Sequence, residues 1–374
     1  MGALDGLLVA DFSRVLAGPL AAMTLGDLGA EVVKVEPPAG DETRSWQPPT
    51  DAEGRSTYFL TVNRNKRSVA LDLKDGRDVL LARELARRAD VLVENFRPGT
   101  MERFGLDYET VSAGNRGLVY CSITGFGRGE GASMPGYDPL VQALSGLMSV
   151  TGPEDGEASK TGVALVDVIA GLNAVNAILA ALRVRDRGGN GQRVEVNLLM
   201  TALAALANQA SSYLNTGVSP GRMGNVHPSI EPFSTYAAAD GMLMICAGND
   251  HQFHQLVRTL GAPHLAEDGR FAGNSDRVAN RDELRPELES RLSLDSVAYW
   301  TEALGAAGVP AGPVNDIGDG FGLAEALGLD PVDETDGVRS PRSPLELSGT
   351  PTATGRRPPS LDEHGDSIRE WLSG

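Results

Sequence analysis

The first 36 residues contain two apolar runs separated by a stretch with helical character. The runs cover residues 6–12 and 31–36, and their composition predicts buried strands. Between them, residues 17–28 predict a helix with Pro19 in its first turn, where proline is tolerated. A strand, a helix and a second strand in such close succession indicate a β-α-β unit, which requires parallel strands.

The same alternation continues along the first half of the chain. Residues 68–73, 90–94 and 117–124 predict further strands, and residues 75–89 predict an amphipathic helix. This order predicts an α/β fold with a doubly wound sheet, which binds ligands at the carboxyl ends of its strands. The first turn has no GxGxxG motif, so the evidence for a dinucleotide site, and for an NAD-dependent dehydrogenase, is weak.

Two basic clusters are expected at the carboxyl ends of these strands. They are residues 63–67 (NRNKR) and residues 95–99 (NFRPG) with Arg103 nearby, and the glycine-rich residues 125–127 (GFG) follow another strand. In a chain with a net charge of -17, such clusters favour a site for a polyanion such as a nucleotide diphosphate. A solvated charged surface is the alternative.

Length and composition exclude several classes of protein. A chain of 374 residues exceeds one ordinary core, so we expect two domains. The acidic balance argues against nucleic acid or an anionic membrane as a partner, and we expect no stretch long and apolar enough to span a membrane. Cys121 and Cys246 lie in apolar strand-like runs, which favours reduced, buried thiols and a cytoplasmic location. The five histidines show no metal-ligand spacing, so no metal is predicted.

The second half of the chain predicts a smaller unit and a return segment. Residues 185–192 predict a turn, and residues 197–214 predict one long helix. The other predicted elements are a hairpin at 233–248, helices at 250–260, 278–292 and 296–307, and a closing helix at 362–372 after a mostly irregular stretch. The predicted domains are residues 1–218, 219–322 and 323–374, of which the last completes the first.

One acid, Asp167, interrupts an otherwise apolar stretch. Residues 163–166 before it could form a short strand or extended segment, and residues 168–182 are apolar on nearly every face, which is typical of a buried helix. Two hypotheses fit this acid. It is either an N-cap, which is common and often has no further role, or a desolvated carboxylate used as a nucleophile or proton-transfer group.

Eight segments, in their order along the chain, resemble the class III CoA-transferase family, also called the CaiB/BaiF family. The resemblance implies a large Rossmann-like domain built from both chain ends, a smaller inserted α+β domain, and an interlocked homodimer in which each chain threads through a ring formed by the other. The segments are LDGLLVADFSRVLAGP, LGDLGAEVVKVEPP with GDETR, NRNKRSVALDLK, VENFRPGTMERFGL, SITGFG, TGVALVDV, GNVHPSIEPF and VPAGPV.

The resemblance also implies where CoA would lie, as a substrate and not as a permanently bound cofactor. Position by position, the family's contacts fall on Val15, Leu16, Ala17, Leu71, Asp72, Lys74, Asn95, Phe96, Arg97 and Arg103. One further basic contact of the family falls on Pro37, which lacks the charge.

The family's nucleophile falls on Asp167, which favours the second hypothesis for this acid. Its carboxylate would attack the acyl-CoA thioester to give a mixed anhydride, which the CoA thiolate would convert to an aspartyl-CoA thioester. An acceptor carboxylate would then exchange with that thioester. Backbone N–H groups near the helix start could stabilise the oxyanions. Tyr137 would be a hydroxyl donor near the acyl group, with a packed core tyrosine as the alternative.

The main rival within the family is an α-methylacyl-CoA racemase or epimerase. That branch has a histidine at the place of Tyr137 and a glutamate at the place of Asn249, which act as acid/base groups. Tyrosine titrates at about pH 10 and asparagine carries no titratable proton, so both departures favour a transferase. A CoA-binding protein without catalysis, in which Asp167 is only a cap, is a third hypothesis.

The acceptor acid is predicted only by class. Transferases for oxalate carry a glutamine at the place of Leu16 and a tetraglycine loop at the place of residues 248–250 (GND). Oxalate is therefore disfavoured, and a larger organic acid, such as a dicarboxylate or a branched or aromatic acid, is favoured. Four residues of the small domain could line the acceptor pocket, with a structural role as the alternative for each: Asn225, His227, Asn249 and His251.

Overall fold

The computed structural model describes residues 2–352 and 355–374. Contacts within the chain divide it into two compact units. The first comprises Met1–Leu147, Thr161–Gly217 and Asp330–Gly374, and the second comprises Met148–Lys160 and Val218–Leu329. The division into folding domains at residues 218 and 322 stays a prediction.

The first unit is built on one six-stranded sheet. Its elements up to residue 216 are β1 (Leu8–Asp11), α1 (Ala17–Asp27), β2 (Glu31–Glu36), α2 (Thr57–Thr61), β3 (Lys66–Ala70), α3 (Gly76–Arg88), β4 (Val91–Glu94), α4 (Tyr108–Gly114), β5 (Val119–Thr124), α5 (Asp138–Leu144), α6 (Leu165–Asp186), β6 (Arg193–Asn197), α7 (Leu198–Ala205) and α8 (Ala207–Thr216). The strands lie in the order β3-β2-β1-β4-β5-β6, and every neighbouring pair is parallel. The predicted α/β fold with a parallel central sheet is confirmed.

The second unit contains a three-stranded antiparallel sheet with helices. Its elements are β7 (Phe233–Ala237), β8 (Met242–Cys246), α9 (Asp250–Thr259), α10 (Asn274–Ala279), α11 (Arg281–Leu292), α12 (Val297–Ala306), β9 (Ala311–Pro313) and α13 (Ile317–Ala326). β7 and β8 form the predicted hairpin, and β9 pairs with β8. The return segment, predicted as mostly irregular, adds a second hairpin and a helix to the first unit: β10 (Val332–Thr335), β11 (Val338–Pro341) and α14 (Gly365–Ser373).

Both faces of the large sheet are covered, which explains why its inner strands β1, β4 and β5 are mostly apolar. On one face, Val9 and Val32 of the sheet belong to a buried cluster with Ala21 of α1 and Ala174 of α6. On the other face, a second cluster includes residues of α3 and α14. The strand order reverses between β1 and β4, so the loops that follow these two strands diverge and open a crevice at the carboxyl edge.

Several predicted elements differ from the structure. Strand β6 was not predicted, because its charged residues alternate with valines at a half-buried sheet edge. Residues 163–166 form no strand, since α6 begins at Leu165. The helix predicted at 197–214 is two helices, divided where Ala207 adopts a φ of 44°. The helix predicted at 278–292 is also two, α10 and α11, which meet at Asn280.

Helix α6 is long and apolar enough to cross a membrane by length and composition, with a mean hydropathy of 1.9. The expectation that no stretch would meet these criteria is therefore wrong. Ala170, Ala174 and Ile178 of this helix are fully buried in the same cluster as the sheet and α1. The core of the first unit thus accounts for the apolar face of α6.

Candidate active site

Asp167 lies in the first turn of α6, at the third helical position. The N-cap is Ala164, which has no side-chain oxygen, so the hypothesis that Asp167 is an N-cap is wrong. The carboxylate is half-buried and lines a cleft. Burial, together with the negative charge of Asp138, raises the pKa of Asp167 to about 7. Since no cation among the described residues contributes to this shift, the carboxylate is desolvated and not held in an ion pair.

The N–H groups that Ala164 cannot cap are bound by Asp138 of α5. One oxygen of its carboxylate accepts hydrogen bonds from the backbone N–H groups of Val166 at 2.8 Å and Asp167 at 3.1 Å. The other oxygen accepts a hydrogen bond from the side-chain amide of Gln142. A cap supplied by another helix therefore fixes the first turn of α6.

Small residues let α6 approach α1 closely. Gly171 lies one turn after Asp167, and a Cβ added there would lie 2.7 Å from the carbonyl oxygen of Ala17. Ala21 and Ala174 are buried in the cluster that joins the two helices. This packing places the Asp167 carboxylate and the start of α1 on the same cleft.

Tyr137 lies at the N-cap position of α5, and its side chain is 55% exposed. The alternative of a packed core tyrosine is therefore wrong. The preceding Gly136 touches Gly125, where an added Cβ would lie 2.5 Å from the Gly136 Cα. This glycine contact joins the loop after β5 to the start of α5, and Tyr137 lines the same cleft as Asp167.

Tyr58 of α2, which was not singled out from the sequence, does not line the cleft but lies close enough to Asp167 for the carboxylate to affect its pKa. Burial and the carboxylates of Asp167, Asp138 and Asp41 raise the pKa of Tyr58 to about 12. Its hydroxyl therefore stays protonated at neutral pH and is a potential hydrogen-bond donor near Asp167. The ring packs edge-on against Trp46, with centroids 4.9 Å apart.

The cleft has a cavity volume of about 140 Å³ and lies at the carboxyl ends of β1, β4 and β5. It brings together the loop after β1 and the loop after β4, which are far apart in the sequence. The predicted residues that line it are Val15, Leu16, Ala17, Asn95, Phe96, Arg97, Tyr137 and Asp167.

A second cavity lies beside this cleft and shares Arg14, Glu42 and Phe96 with it. The predicted residues that line it are Leu71, Asp72 and Lys74, along with Phe96. Arg103 is exposed and donates to the Thr100 hydroxyl at 3.3 Å, and it is not among the described residues that line either cavity. Its contact with CoA stays a prediction.

The basic cluster at residues 63–67 does not lie at the carboxyl end of a strand, so this expectation is wrong. The cluster leads into the amino end of β3, and two of its three cations form ion pairs inside the protein. Arg64 pairs with Asp27 at 2.6 Å, and fully buried Lys66 pairs with Asp11 at 2.8 Å. Burial lowers the pKa of Lys66 to about 8, although Asp11 opposes this shift.

Buried charges fix the turn between β1 and α1. The Lys34 ammonium donates to the Ser13 carbonyl at 2.9 Å and pairs with Asp41 at 3.0 Å. Asp41 in turn accepts a hydrogen bond from the Val15 N–H at 3.3 Å. Val15 has a φ of 68°, which a β-branched residue adopts only under strong constraint. Leu16, the N-cap of α1, offers no side-chain cap to the N–H groups of the first turn.

A family model described as "CoA-transferase family III" matches residues 4–365. The chain belongs to CoA-transferase family III. This confirms the resemblance seen in the eight sequence segments.

Relatives of this family III chain include proteins named as CoA-transferases. It is 41% identical over 374 residues to the acetyl-CoA:oxalate CoA-transferase of Acetobacter aceti, covering 99% of this chain and 95% of the relative. It is 45% identical over 329 residues to the succinyl-CoA:glutarate CoA-transferase of Mus musculus, covering 87% and 75%. A crystal structure of a CAIB/BAIF family protein from Brucella suis matches with a TM-score of 0.90 at 44% identity, covering 99% of each chain.

The four predicted acceptor residues of this transferase-family chain lie in its second unit. The Asn225 amide donates to the Thr235 hydroxyl at 3.0 Å, and the His227 ring packs edge-on against Phe233. Asn249 is the N-cap of α9, whose oxygen accepts a hydrogen bond from a backbone N–H, and His251 is exposed on that helix. Contacts within the unit account for the first three, and their role in binding an acid stays a prediction.

Asn95, which was expected to contact CoA, binds the main chain of Arg14. Its side-chain oxygen accepts a hydrogen bond from the Arg14 N–H at 2.9 Å, and its side-chain nitrogen donates one to the Arg14 carbonyl at 2.7 Å.

Sequence reasoning missed two acids, Asp138 and Glu94, whose partners are distant in the sequence or set by burial. Buried Glu94 accepts a hydrogen bond from the Phe96 N–H at 2.9 Å, and burial raises the pKa of Glu94 to about 7. The GYD and VENFRP segments contain Asp138 and Glu94, but only the fold gives them partners. Among residues 2–352 and 355–374, no cluster of His, Cys, Asp or Glu is placed to hold a metal ion.

Proposed function

We propose that this chain transfers CoA from an acyl-CoA to a free carboxylic acid, with Asp167 as the covalent nucleophile. The observation that carries the proposal is the desolvated Asp167 carboxylate, which shares one cleft with the loops after β1 and β4. A carboxylate removed from water, and without a cationic partner to weaken it, is a stronger nucleophile once ionised. CoA is a substrate in this proposal, and no permanently bound cofactor takes part.

The transfer proceeds in four exchanges. Asp167 attacks the thioester carbonyl, so that an aspartyl-acyl anhydride forms and the CoA thiolate leaves. The thiolate attacks the aspartyl carbonyl and expels the donor acid, which carries away one of the Asp167 oxygens. The acceptor carboxylate then attacks the aspartyl-CoA thioester and again expels the thiolate. In the last step the thiolate attacks the acceptor acyl group and releases the new acyl-CoA, and Asp167 keeps one oxygen from the acceptor.

Oxyanions form in every exchange and need hydrogen-bond donors. The uncapped N–H groups at the start of α1, beside Leu16 and Ala17, are suitable donors because both residues line the cleft. The hydroxyl of Tyr137 is a further donor on the same cleft, which supports its proposed role near the acyl group.

For the acceptor we propose a dicarboxylic acid larger than oxalate. One relative is named for glutarate and another for oxalate, so a dicarboxylate is common to both. The case against oxalate rests on Leu16 and on residues 248–250 and stays a prediction. Asn225, His227, Asn249 and His251 remain the proposed contacts to this acid.

The proposal can be tested by following the transfer of CoA and the fate of the carboxylate oxygens of the acceptor acid in one experiment. Succinyl-CoA and ¹⁸O-labelled glutarate are incubated with the enzyme, and mass spectrometry measures glutaryl-CoA and the peptide that contains Asp167. We expect glutaryl-CoA to form and ¹⁸O to enter that peptide, and hydroxylamine added during turnover should leave a hydroxamate on Asp167. Asp167→Asn should abolish transfer, while the control Asp186→Asn, on the exposed end of the same helix, should retain it.

Three results would contradict the proposal. Transfer at the wild-type rate by Asp167→Ala would exclude the covalent route. Exchange of the α-proton of a 2-methylacyl-CoA in heavy water, without any acceptor acid, would favour the racemase instead. CoA binding unaffected by Asp167→Asn, without any exchange of acyl groups, would favour the non-catalytic hypothesis.

A homodimer in the cytoplasm is part of the same proposal. Apolar side chains are exposed on α7 and α8, among them Met200 at 61%, Tyr213 at 50% and Leu214 at 77%. Such a surface is typical of one that packs against another subunit. Light scattering on the purified protein should give twice the chain mass of 39.3 kDa, and a stable monomer would contradict the dimer.

A further inference from the structure

The cleft with Asp167 and the cavity beside it share three residues: Arg14, Glu42 and Phe96. Asp167 lines only the first, and Lys74 lines only the second. A ligand long enough to occupy both cavities must therefore pass Arg14.

Arg14 is the one cationic side chain among the described lining residues that belongs to both cavities. Arg97 lines only the cleft and Lys74 lines only the second cavity. Lys34 also lines the second cavity, but it is fully buried and already paired with Asp41 at 3.0 Å. A negative group at the junction would therefore find its cation in Arg14.

The main chain of Arg14 is fixed, while its guanidinium is available. The Asn95 side-chain amide binds both the N–H and the carbonyl of Arg14, and the guanidinium lies over the Phe96 ring at 5.7 Å. Its ion pair with Glu42 is long, at 3.6 Å, and the two side chains are 52% and 36% exposed. A solvated pair of this kind contributes little, so a stronger anion can replace Glu42.

The chemistry of acyl-CoA fits this arrangement. The proposed function requires the thioester of the acyl-CoA to lie at Asp167 in the cleft. The diphosphate of CoA lies between the thioester and the adenosine, so the adenosine would reach the second cavity. The second cavity has apolar walls from Leu71 and Phe104 that suit a flat base. We propose that the Arg14 guanidinium binds the diphosphate of CoA at the junction, where it exchanges its contact with Glu42 for a bidentate contact with phosphate oxygens. This inference rests on the proposed function.

The test measures the dissociation constants of CoA and 3′-dephospho-CoA by calorimetry. We expect Arg14→Gln to weaken the binding of both ligands equally, on the order of tenfold, because a charge-assisted hydrogen bond to a phosphate is lost. Arg14→Lys should fall between the wild type and Arg14→Gln, since an ammonium keeps the charge but not the bidentate geometry. Glu42→Gln should tighten the binding of both ligands, because a carboxylate near the diphosphate is removed.

The matched control is Arg87→Gln. Arg87 is exposed on α3, pairs with Glu84 at 2.6 Å and is not among the residues that line either cavity, so both dissociation constants should stay within about twofold. Circular dichroism and the melting temperature of each variant establish that it is folded.

Three results would overturn the inference while leaving the proposed function intact. They are unchanged binding by Arg14→Gln, a loss confined to CoA, which would assign Arg14 to the 3′-phosphate, and weaker binding by Glu42→Gln. Failure of the wild-type protein to bind CoA would instead refute the proposed function itself.

Discussion

The Asp138 carboxylate on α5 accepts a hydrogen bond from the backbone N–H of Asp167 on α6 at 3.1 Å. The contact has two opposite effects. It satisfies N–H groups at the start of α6, which stabilises the helix, and it places a negative charge near the Asp167 carboxylate, which raises the pKa of that carboxylate. Asp138 thus orders the proposed nucleophile and at the same time disfavours its ionised form.

Replacement of Asp138 separates these two effects. Asp138→Asn keeps an oxygen that accepts hydrogen bonds but removes the charge, so the pKa of Asp167 should fall from about 7. Since the ionised carboxylate is the proposed nucleophile, activity should rise with pH in the wild type, and in the variant this rise should move to lower pH. The measurement is kcat/KM for CoA transfer between pH 5 and pH 8. An unshifted profile in Asp138→Asn, alongside the expected wild-type profile of Asp186→Asn, would contradict this account.

The raised pKa of Asp167 also predicts a dependence of stability on pH. The folded protein holds the Asp167 proton up to about pH 7, whereas the unfolded chain releases it near 3.8, the ordinary pKa of an aspartate. The folded state therefore binds more protons between these values, and its free energy of unfolding falls as the pH rises through this window. Asp167→Asn has no proton to release, so its free energy of unfolding should not fall in this window. The difference in melting temperature between Asp167→Asn and the wild type should therefore be larger at pH 8 than at pH 4, in favour of the variant. An advantage independent of pH would show that desolvation of the carboxylate is not the cause.

The contact between α1 and α6 predicts the effect of one added methyl group. Gly171→Ala would place a Cβ 2.7 Å from the Ala17 carbonyl oxygen, so the helices must separate. We expect a loss of about 1–3 kcal/mol in the free energy of unfolding, and a lower kcat because Asp167 shifts with α6. The control is Gly305→Ala in α12, where an added Cβ meets nothing within 4 Å. This variant should be at least as stable as the wild type, since alanine is the better helix former. Denaturant unfolding measures both, and equal effects would contradict the packing argument.

Neighbouring cations of the 63–67 cluster should differ sharply in their effect on stability. Lys66→Met leaves the fully buried Asp11 without its ammonium partner, which should cost about 3–5 kcal/mol of unfolding free energy. Arg67 pairs with Glu31 near the surface, so Arg67→Gln should cost about 1 kcal/mol or less. Urea unfolding of both variants gives the comparison. Similar losses would show that Asp11 finds another partner, such as Lys34.

The sequence predicts those parts of the fold that depend on local pattern. The apolar runs and the helix between them were enough to predict the parallel sheet, and glycine and basic residues after the strands were enough to locate the cleft at its carboxyl edge. Pattern failed where a residue's environment is set by distant partners. Lys66 was expected to face a ligand, but Asp11, 55 residues away in the sequence, binds it inside the protein. Asp138 and the half-exposed strand β6 have no local signature that distinguishes them from loop residues.

The close contact of Gly171, one turn after Asp167, with the backbone of α1 limits how the proposed active site could be altered. Even one methyl group at Gly171 would collide with the backbone of α1. Substitutions on this face of α6 therefore cannot be used to move the Asp167 carboxylate to a new position. A change of acceptor acid would have to be engineered in the loops that line the cleft, such as the loop between β5 and α5. Exposed side chains there can be replaced without changing the packing of α1 against α6.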